Sequence, residues 1–497
     1  MAERAPDQEC IRFEDGTQWT WEEAIHQGYR AASVLADAGL ERGNTMLLFL
    51  PNCAEWIRAW WGAAFLGAAI VPVNTANKGA FLGHVCEDSR AEIIVTDQNL
   101  ATRLTEVEVD LRVIDAGSLA LGDEREPALS RPIEPWETEF INYTSGTTGP
   151  SKGVVTSYLH AAMSAYDAWA KWTRPDDCMI VDLPLFHMGG QAPAFGHWSV
   201  GARIALRSVF SATRYLDICR EVGATCGFMV GTMSNMLLAQ PERDDDADTP
   251  LRRMLVAPMV PDPDGFRRRY GIDELFLCYG PTETGALTIT EDVEADTHTL
   301  GHARDGVEVR VVDEHDVPVA PGTVGELIAR PDRPWEFMTE YWGRPEATAE
   351  VWRNGWYHTG DGVIYTKEGN YYFSDRLKDS LRRRGENISS FEVEQAVLAF
   401  PAVLEAACVA SPGEFSGDDE VKIFVVVRDG HALDPGELIG FLVERMPYFA
   451  IPRFVEIIDD MPKTPTNKIQ KYELRERGNS PATWDRETAG IRVHRSM

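Results

Sequence analysis

Tyr143 to Val154 reads Y-T-S-G-T-T-G-P-S-K-G-V, a run in which glycines and hydroxyl side chains surround one cation, Lys152. Backbone N–H groups in successive turn conformations form an anion-binding nest, and hydroxyl donors with one ammonium complete a cradle for a polyphosphate. Thr144, Ser145, Gly146, Thr147, Thr148 and Lys152 are the candidate ligands. A flexible linker has a similar composition. Here, however, Phe140-Ile141-Asn142-Tyr143 and Val154-Val155-Thr156 predict strands that pin the run on both sides. A Walker A loop needs Gly-Lys-Ser/Thr opening a helix, whereas Lys152 precedes Gly153 and β-branched residues.

Four further places hold residues that could do chemistry. In Tyr279-Gly280-Pro281-Thr282-Glu283-Thr284-Gly285, Thr282 offers a phosphate donor and Glu283 a hard oxygen for Mg²⁺, which binds one or two carboxylates plus phosphate oxygens. In isolation this reads as a strand-to-turn corner, and beside the glycine-rich run it reads as a metal–phosphate site. Trp356-Tyr357-His358-Thr359-Gly360-Asp361 places a carboxylate after a tight turn, suited either to a ribose diol or to an Asx turn. Arg376, fifteen residues on, can serve the same ribose or a phosphate, or stand on the surface. Lys468 lies in Pro462 to Lys471, a segment too rich in Pro and Thr for a helix, where a lysine is ordinarily solvated. His187, in Pro184-Leu185-Phe186-His187-Met188-Gly189-Gly190, is either a core histidine or a pocket wall. Neither a Ser/His/Asp pattern of a hydrolase nor a His/Cys spacing for zinc accompanies it.

The elements that must position these residues alternate. Thr45 to Leu50, Ala69 to Val73 and Ile93 to Thr96 read as strands, with helices at Glu55 to Leu66 and Phe81 to Asp88 between them. The alternation resumes through Met179 to Leu183, Ala202 to Leu206, Thr225 to Val230, Met254 to Val256 and Leu275 to Tyr279. It predicts an α/β fold with an open, mostly parallel sheet and ligand loops at strand ends. From Gly306 short alternating strands predict a β-rich subdomain. The expected division is a large N-terminal domain of layered α/β sheets over 1–375, a hinge at 376–379, a small mobile α+β domain over 380–478, and a polar, mobile tail from 479 to 497.

With 78 acidic against 48 basic residues, the formal charge of −30 opposes nucleic acid and anionic membranes as partners. Eight scattered cysteines without a C-x-x-C pair, and a charged N-terminus, predict reduced thiols and a cytoplasmic protein. The longest apolar run, Ala59 to Val73, is short of a membrane span and is interrupted by Gly62, Gly67 and Pro72.

Taken in order, these segments resemble the adenylate-forming superfamily of acyl-CoA synthetases, luciferases and peptide-synthetase adenylation domains over nearly the whole chain. The likeness is greatest to the carnitine/crotonobetaine-CoA ligase-like branch, through Pro51-Asn52-Cys53-Ala54-Glu55-Trp56, Val71-Pro72-Val73-Asn74 and Arg383-Arg384-Gly385-Glu386-Asn387-Ile388-Ser389. The resemblance implies ATP, Mg²⁺ and CoA as ligands, and a small-molecule carboxylic acid as the group activated, in a monomer or homodimer. It implies Thr144 to Thr148 and Lys152 as the phosphate loop, Thr282 on the α-phosphate, and Glu283 with Thr144 at the metal. Asp361 and Arg376 fall on the ribose, with Ala257, Pro258, Cys278, Tyr279 and Gly280 completing the nucleotide site. Lys378 matches the hinge, Lys468 the catalytic lysine, Gly385 and Glu386 the CoA tunnel, and His187 an aromatic gate at the acyl site.

Some positions depart from the family pattern. Asn467 replaces a common glycine, and Leu255-Val256-Ala257-Pro258-Met259 replaces a Gly-Gly-Ala-Pro run, which predicts a narrower adjoining pocket. Met188, Phe228, Met229, Met233, Val256 and Met259 are the expected acyl-pocket residues, apolar and suited to a modest-sized acid. Two other readings stay open at the sequence level. One is adenylation with a different acceptor or oxyanion: an amine, a carrier protein, or nitrite activated for diazotisation. The other is a nucleotide-binding scaffold without catalysis, against which intact Lys152, Glu283, Asp361 and Lys468 argue.

Overall fold

The computed structural model describes residues 3–493 except 145–149, 258, 261, 291–298, 377–380, 384–385, 389, 414–417, 463–468 and 470. Among the described residues the strands form four sheets and one hairpin. The single parallel sheet expected from the sequence is two. One has six strands, in the order Arg112–Asp115, Ile93–Thr96, Thr45–Phe49, Ala69–Pro72, Thr138–Thr144, Lys152–Ser157, with only the last pair antiparallel. The other has seven, running from Glu274–Phe276 through Arg253–Ala257, Cys226–Val230, Cys178–Val181 and Arg203–Leu206 to Glu9–Arg12 and Gln18–Thr20.

Strand alternation explains why a layered body follows. Met46 and Leu48 point into a core shared with Met179, Ile204 and Leu255 of the other sheet, whereas Leu47 and Phe49 point out toward helix Gly79–Asp88. Strands buried on both faces are near-continuous apolar runs, as A-I-V-P is and as T-M-L-L-F is after its first threonine. Helix Trp21–Asp37 contributes Trp21, Ala24, Ala31 and Leu35 to the shared core, and helices Ala54–Leu66 and Met188–Val200 contribute Trp56, Trp60 and Trp198, whose rings pack 5.3–5.5 Å apart or against Trp61. Thr20 caps the first helix through a reciprocal capping box with Glu23, worth about 1 kcal/mol.

The expected β-rich subdomain is an eight-stranded sheet built on Val307–Val312, Gly325–Pro331, Trp356–Tyr365 and Tyr371–Arg376. Arg376, the first residue of the span expected as a hinge, pairs with Asp361 as a residue of strand Tyr371–Arg376. Lys378 lies outside the described residues.

The C-terminal unit opens with the hairpin Leu381–Arg383/Glu386–Ile388. It continues as a sheet of Val403–Pro412, Asp419–Val427, Phe454–Ile457 and Trp484–Asp485. The last strand overturns the expectation of a mobile tail from 479. Trp484 and Asp485 pair with Val455 and Phe454, and Arg486 is buried. The reason lies in Lys422. Its buried ammonium donates to Glu456 (2.7 Å), to the Gly478 carbonyl (2.5 Å) and to Thr483 Oγ1 (3.0 Å), so the polar segment after the last helix supplies hydrogen bonds that a buried charge requires.

Candidate functional site

The glycine-rich run leaves one antiparallel strand and enters the next, with Thr144 opposite Lys152 and Tyr143 opposite Gly153. Ser145, Gly146, Thr147 and Thr148 lie outside the described residues. Two contacts hold the exit of the run. The Ser151 N–H donates to Glu392 Oε1 (2.6 Å) from the C-terminal unit, and His84 Nε2 is 2.8 Å from the Ser151 carbonyl oxygen. Burial lifts the Glu392 carboxyl above its usual range, while the Ser151 bond and nearby His84 pull it down.

Lys152 is directed by an aromatic ring. Its Nζ lies 5.0 Å from the centre of Tyr341, a cation–π arrangement. The Tyr341 phenol donates to Glu283 Oε1 at 2.7 Å. Segment 338–342 runs along strand Lys152–Ser157, with Thr339 N donating to the Val155 carbonyl and Trp342 N to the Gly153 carbonyl. Met338 N also donates to the Glu283 carbonyl (2.7 Å), so one backbone segment locks the glycine-rich strand and the Glu283 turn together. Burial and the Glu283 carboxylate push the Tyr341 phenol far up, which keeps it a donor. Tyr341 was not singled out from the sequence. Its signal is the aromatic pair Tyr341-Trp342 before a Gly343 turn and Pro345.

The Thr282–Glu283 turn follows strand Cys278–Tyr279, and Gly285 N closes it on the Pro281 carbonyl (3.0 Å). Gly285 has φ +65°, and a Cβ on Gly280 would lie 1.8 Å from the Gly285 carbonyl oxygen, so both positions require glycine. Tyr279 donates to Asp361 Oδ2, and Asp361 faces Arg376 across the strand pair. The two residues expected on the ribose, although fifteen apart, are therefore neighbours. Burial raises the Cys278 thiol to about 12, so it stays protonated.

His187 precedes helix Met188–Val200, and its loop is held from both sides. Asn52 donates to the Leu183 and Arg207 carbonyls (2.9 and 3.0 Å) and accepts from Leu185 N (2.8 Å); Gln191 donates to the Leu185 carbonyl (2.8 Å). The His187 ring meets the C-terminal hairpin, with Nε2 3.0 Å from Glu386 Oε2, and Asn74 Nδ2 is 3.4 Å from that same oxygen. Gly385 and Lys468 lie outside the described residues. Ile469, next to Lys468, packs with Ala407, Val409 and Phe424 on one face of the C-terminal sheet. Leu381 and Ile388, which flank the Glu386 turn, pack with Ala406 and Cys408 on the other face.

The expected acyl pocket divides. Met188 and Phe228 stay at the His187 end, where a Cβ on Gly189 would lie 3.5 Å from the Phe228 ring. Met229, Met233, Val256 and Met259 instead pack with Tyr215, Phe266 and Tyr270 in the cluster on the opposite face of the seven-stranded sheet. They are core residues. Strand period explains the split, since Phe228 and Met229 point to opposite faces. Of the altered Gly-Gly-Ala-Pro run, Val256 turns outward, Leu255 fills the core between the sheets, and Ala257 ends its strand; Pro258 lies outside the described residues.

Among the described residues no group of three His, Cys, Asp or Glu could hold a metal by itself. Glu283 carries the hard carboxylate oxygens that bind Mg²⁺ together with phosphate oxygens, and its Oε1 accepts the Tyr341 hydrogen bond. No helix of the described residues is long and apolar enough to cross a membrane.

A layered α/β body with a phosphate-type loop, a carboxylate turn and a facing Asp/Arg pair, joined to a small C-terminal unit, defines a nucleotide-activating ligase architecture. The chain belongs to the AMP-binding enzyme family: the family model matches residues 1–342, and that of the AMP-binding enzyme C-terminal domain matches 392–468. It is an AMP-forming acid–CoA ligase, which activates a carboxylic acid as an acyl-adenylate and thioesterifies it to CoA. It is similar to the crotonobetaine/carnitine–CoA ligase of Citrobacter koseri, with 29% identity over 472 residues, 90% of this chain and 91% of the relative. Among solved structures it resembles the o-succinylbenzoate–CoA synthetase of Bacillus subtilis bound to a product analogue, OSB-NCoA (TM-score 0.85, 26% identity, 96% of this chain and 97% of that one). The same synthetase in complex with AMP matches with a TM-score of 0.70, at 26% identity over 95% of this chain and 96% of that one.

Proposed function

We propose that this ligase works on a modest-sized acid held at His187, with ATP and Mg²⁺ on the Lys152–Glu283–Asp361 side and CoA entering past Glu386. The single observation carrying this reading is the His187–Glu386 contact at 3.0 Å, which brings the C-terminal hairpin to the acyl gate. A carboxylate approaching the α-phosphorus of ATP is one anion meeting another. Such a reaction needs dispersed positive charge and alignment more than an acid or base. Lys152, aimed by the Tyr341 ring, and the Thr282 hydroxyl orient the phosphates, and Asp361 and Tyr279 hold the ribose. Mg²⁺, when bound at Glu283, supplies charge neutralisation on the phosphate oxygens. Lys468 is the catalytic lysine of this half-reaction. Thioesterification then needs the thiol to reach the acyl carbonyl, and the Gly385–Glu386 turn lines that route.

The orientation adopted here suits the second half-reaction. The higher TM-score to the product-analogue complex than to the AMP complex of one synthetase supports it, as does the Glu392 bond to the loop exit. We place the hinge at Lys378, between the sheet that ends at Arg376 and the hairpin that begins at Leu381.

Acid-dependent pyrophosphate release measured with and without CoA tests the reading, with thioester expected only when CoA is present. The same final product in the absence of CoA would sink it in favour of another acceptor. A second expectation arises from Tyr341. Tyr341→Phe removes a donor to a carboxylate, an interaction of about 1.5–3 kcal/mol, so adenylation should slow by roughly 10- to 100-fold. Thioesterification of a supplied acyl-adenylate should change far less. Equal slowing of both half-reactions would refute a role through Glu283.

A further inference from the structure

Helix Tyr158–Tyr166 carries His160 and Ser164 one turn apart, both buried. Burial lowers the His160 imidazole to about 3, so it is neutral. Ser164 is 5% exposed, and among the described residues its Oγ has no hydrogen-bond partner. Ser164 lines a crevice together with Trp60, Phe140, Thr156, Met188 and Gln191. Met188 directly follows His187, so one wall of the crevice adjoins the residue expected at the acyl gate. Ser164 also backs onto the Thr282–Glu283 turn, since a Cβ on Gly285 would lie 2.3 Å from its Oγ.

The other polar groups of the wall are committed. Gln191 Nε2 donates to Asn142 Oδ1 (3.1 Å) and to the Leu185 carbonyl (2.8 Å), and its Oε1 is 3.4 Å from Asn142 Nδ2. Trp60 Nε1 donates to Glu139 (2.9 Å), and Thr156 Oγ1 is 3.5 Å from the Val154 carbonyl. In this state the crevice has room for about one water-sized group. A buried hydroxyl without a partner is costly, and here the residue that carries it lines the crevice beside Met188.

We infer that Ser164 sets the specificity of the acyl pocket, favouring acids whose tail carries one small hydrogen-bonding substituent, a hydroxyl, amino or keto group, over the alkyl isostere. The inference rests on the reading that the activated acid is held at His187. Because a site built to hydrogen-bond a substrate group rejects the analogue lacking it more strongly than an apolar pocket rejects a methyl change, the preference should be about 10-fold or more in kcat/KM.

The test is a panel of matched pairs, hydroxyl-bearing and methyl-bearing, across three- to six-carbon and monosubstituted aryl acids. Each is assayed by pyrophosphate release with the full-length wild-type enzyme, Ser164→Ala and Ser164→Thr. The expected result is a hydroxyl preference of about 10-fold or more in at least one pair, collapsing toward unity in Ser164→Ala and partly kept in Ser164→Thr. Turnover of the methyl acids with no hydroxyl preference in the wild type would overturn the inference alone, and would point to a buried water as the Ser164 partner. A hydroxyl preference that survives Ser164→Ala would overturn it as well. No pyrophosphate release with any acid of the panel would overturn the underlying acid-activation reading too. If Ser164→Ala fails to fold, the wild-type ratio and Ser164→Thr decide.

Discussion

A Lys468→Ala variant is expected to lose acid-dependent pyrophosphate release by about 10²- to 10³-fold, the cost of removing one preorganised donor from a transition state that gathers negative charge. The same variant should still convert a supplied acyl-adenylate and CoA to thioester. The split follows from the two faces of the C-terminal sheet. Ile469 packs on the face of Val409 and Phe424, whereas Leu381 and Ile388, on the two strands of the hairpin that carries Glu386, pack on the face of Ala406 and Cys408. A rigid sheet cannot present opposite faces to one pocket at once, so we expect the two half-reactions to use two orientations of the domain. In the orientation described here the Glu386 face meets His187. Rapid-quench measurement of each half-reaction decides the matter, and equal loss in both would contradict the assignment.

Replacing Arg304 should cost more stability than any substitution at the site. Its guanidinium is 3% exposed, and Nη1 lies 2.9 Å from Asp167 Oδ2 and 2.8 Å from Glu336 Oε1, while Nε donates to the Ala286 carbonyl just past the Thr282–Glu283 turn. Glu336 is 1% exposed. Arg304→Met would leave two buried carboxylates without their cation, a loss of about 3–5 kcal/mol. At roughly 2–4 °C per kcal/mol for domains of 150–250 residues, the thermal midpoint should fall by on the order of 10 °C. The triple variant Arg304→Met, Asp167→Asn, Glu336→Gln should recover part of that fall, because neutral amides no longer need the charge. A midpoint within about 2 °C of wild type for Arg304→Met would mean that water reaches these carboxylates and that they are not buried as a group.

Much of the architecture was legible in the chain. Runs such as Thr45–Phe49 and Ala69–Pro72 are apolar at every position after the first threonine, which only a doubly covered strand requires, but the expected strand Leu275 to Tyr279 divides into Glu274–Phe276 of the seven-stranded sheet and Cys278–Tyr279 of the eight-stranded one. The glycine-rich run was legible because its donors are contiguous. The Asp361–Arg376 pairing followed from one antiparallel turn between them. Lys422 and the segment after Gly478 were not legible, since a polar stretch reads as a tail until a buried ammonium is found to need it. Tyr341 was missed because its value lies in reaching Glu283 and Lys152 from another part of the chain.

The sequence by itself determined which chemical groups are present and in what order, because hydroxyls, carboxylates and lysines in turns declare their donors and acceptors locally. It also determined that the parallel strands would be buried. Only the tertiary structure decided which face of a uniformly apolar strand turns to the core between the sheets and which to the cluster on the far side, separating Phe228 from Met229 and Val256. A strand buried on both sides carries no polar alternation to mark its faces. The same structure decided that Glu386 meets His187 and that Ser164 is left with an unspent hydroxyl, since both depend on packing between segments far apart in the chain.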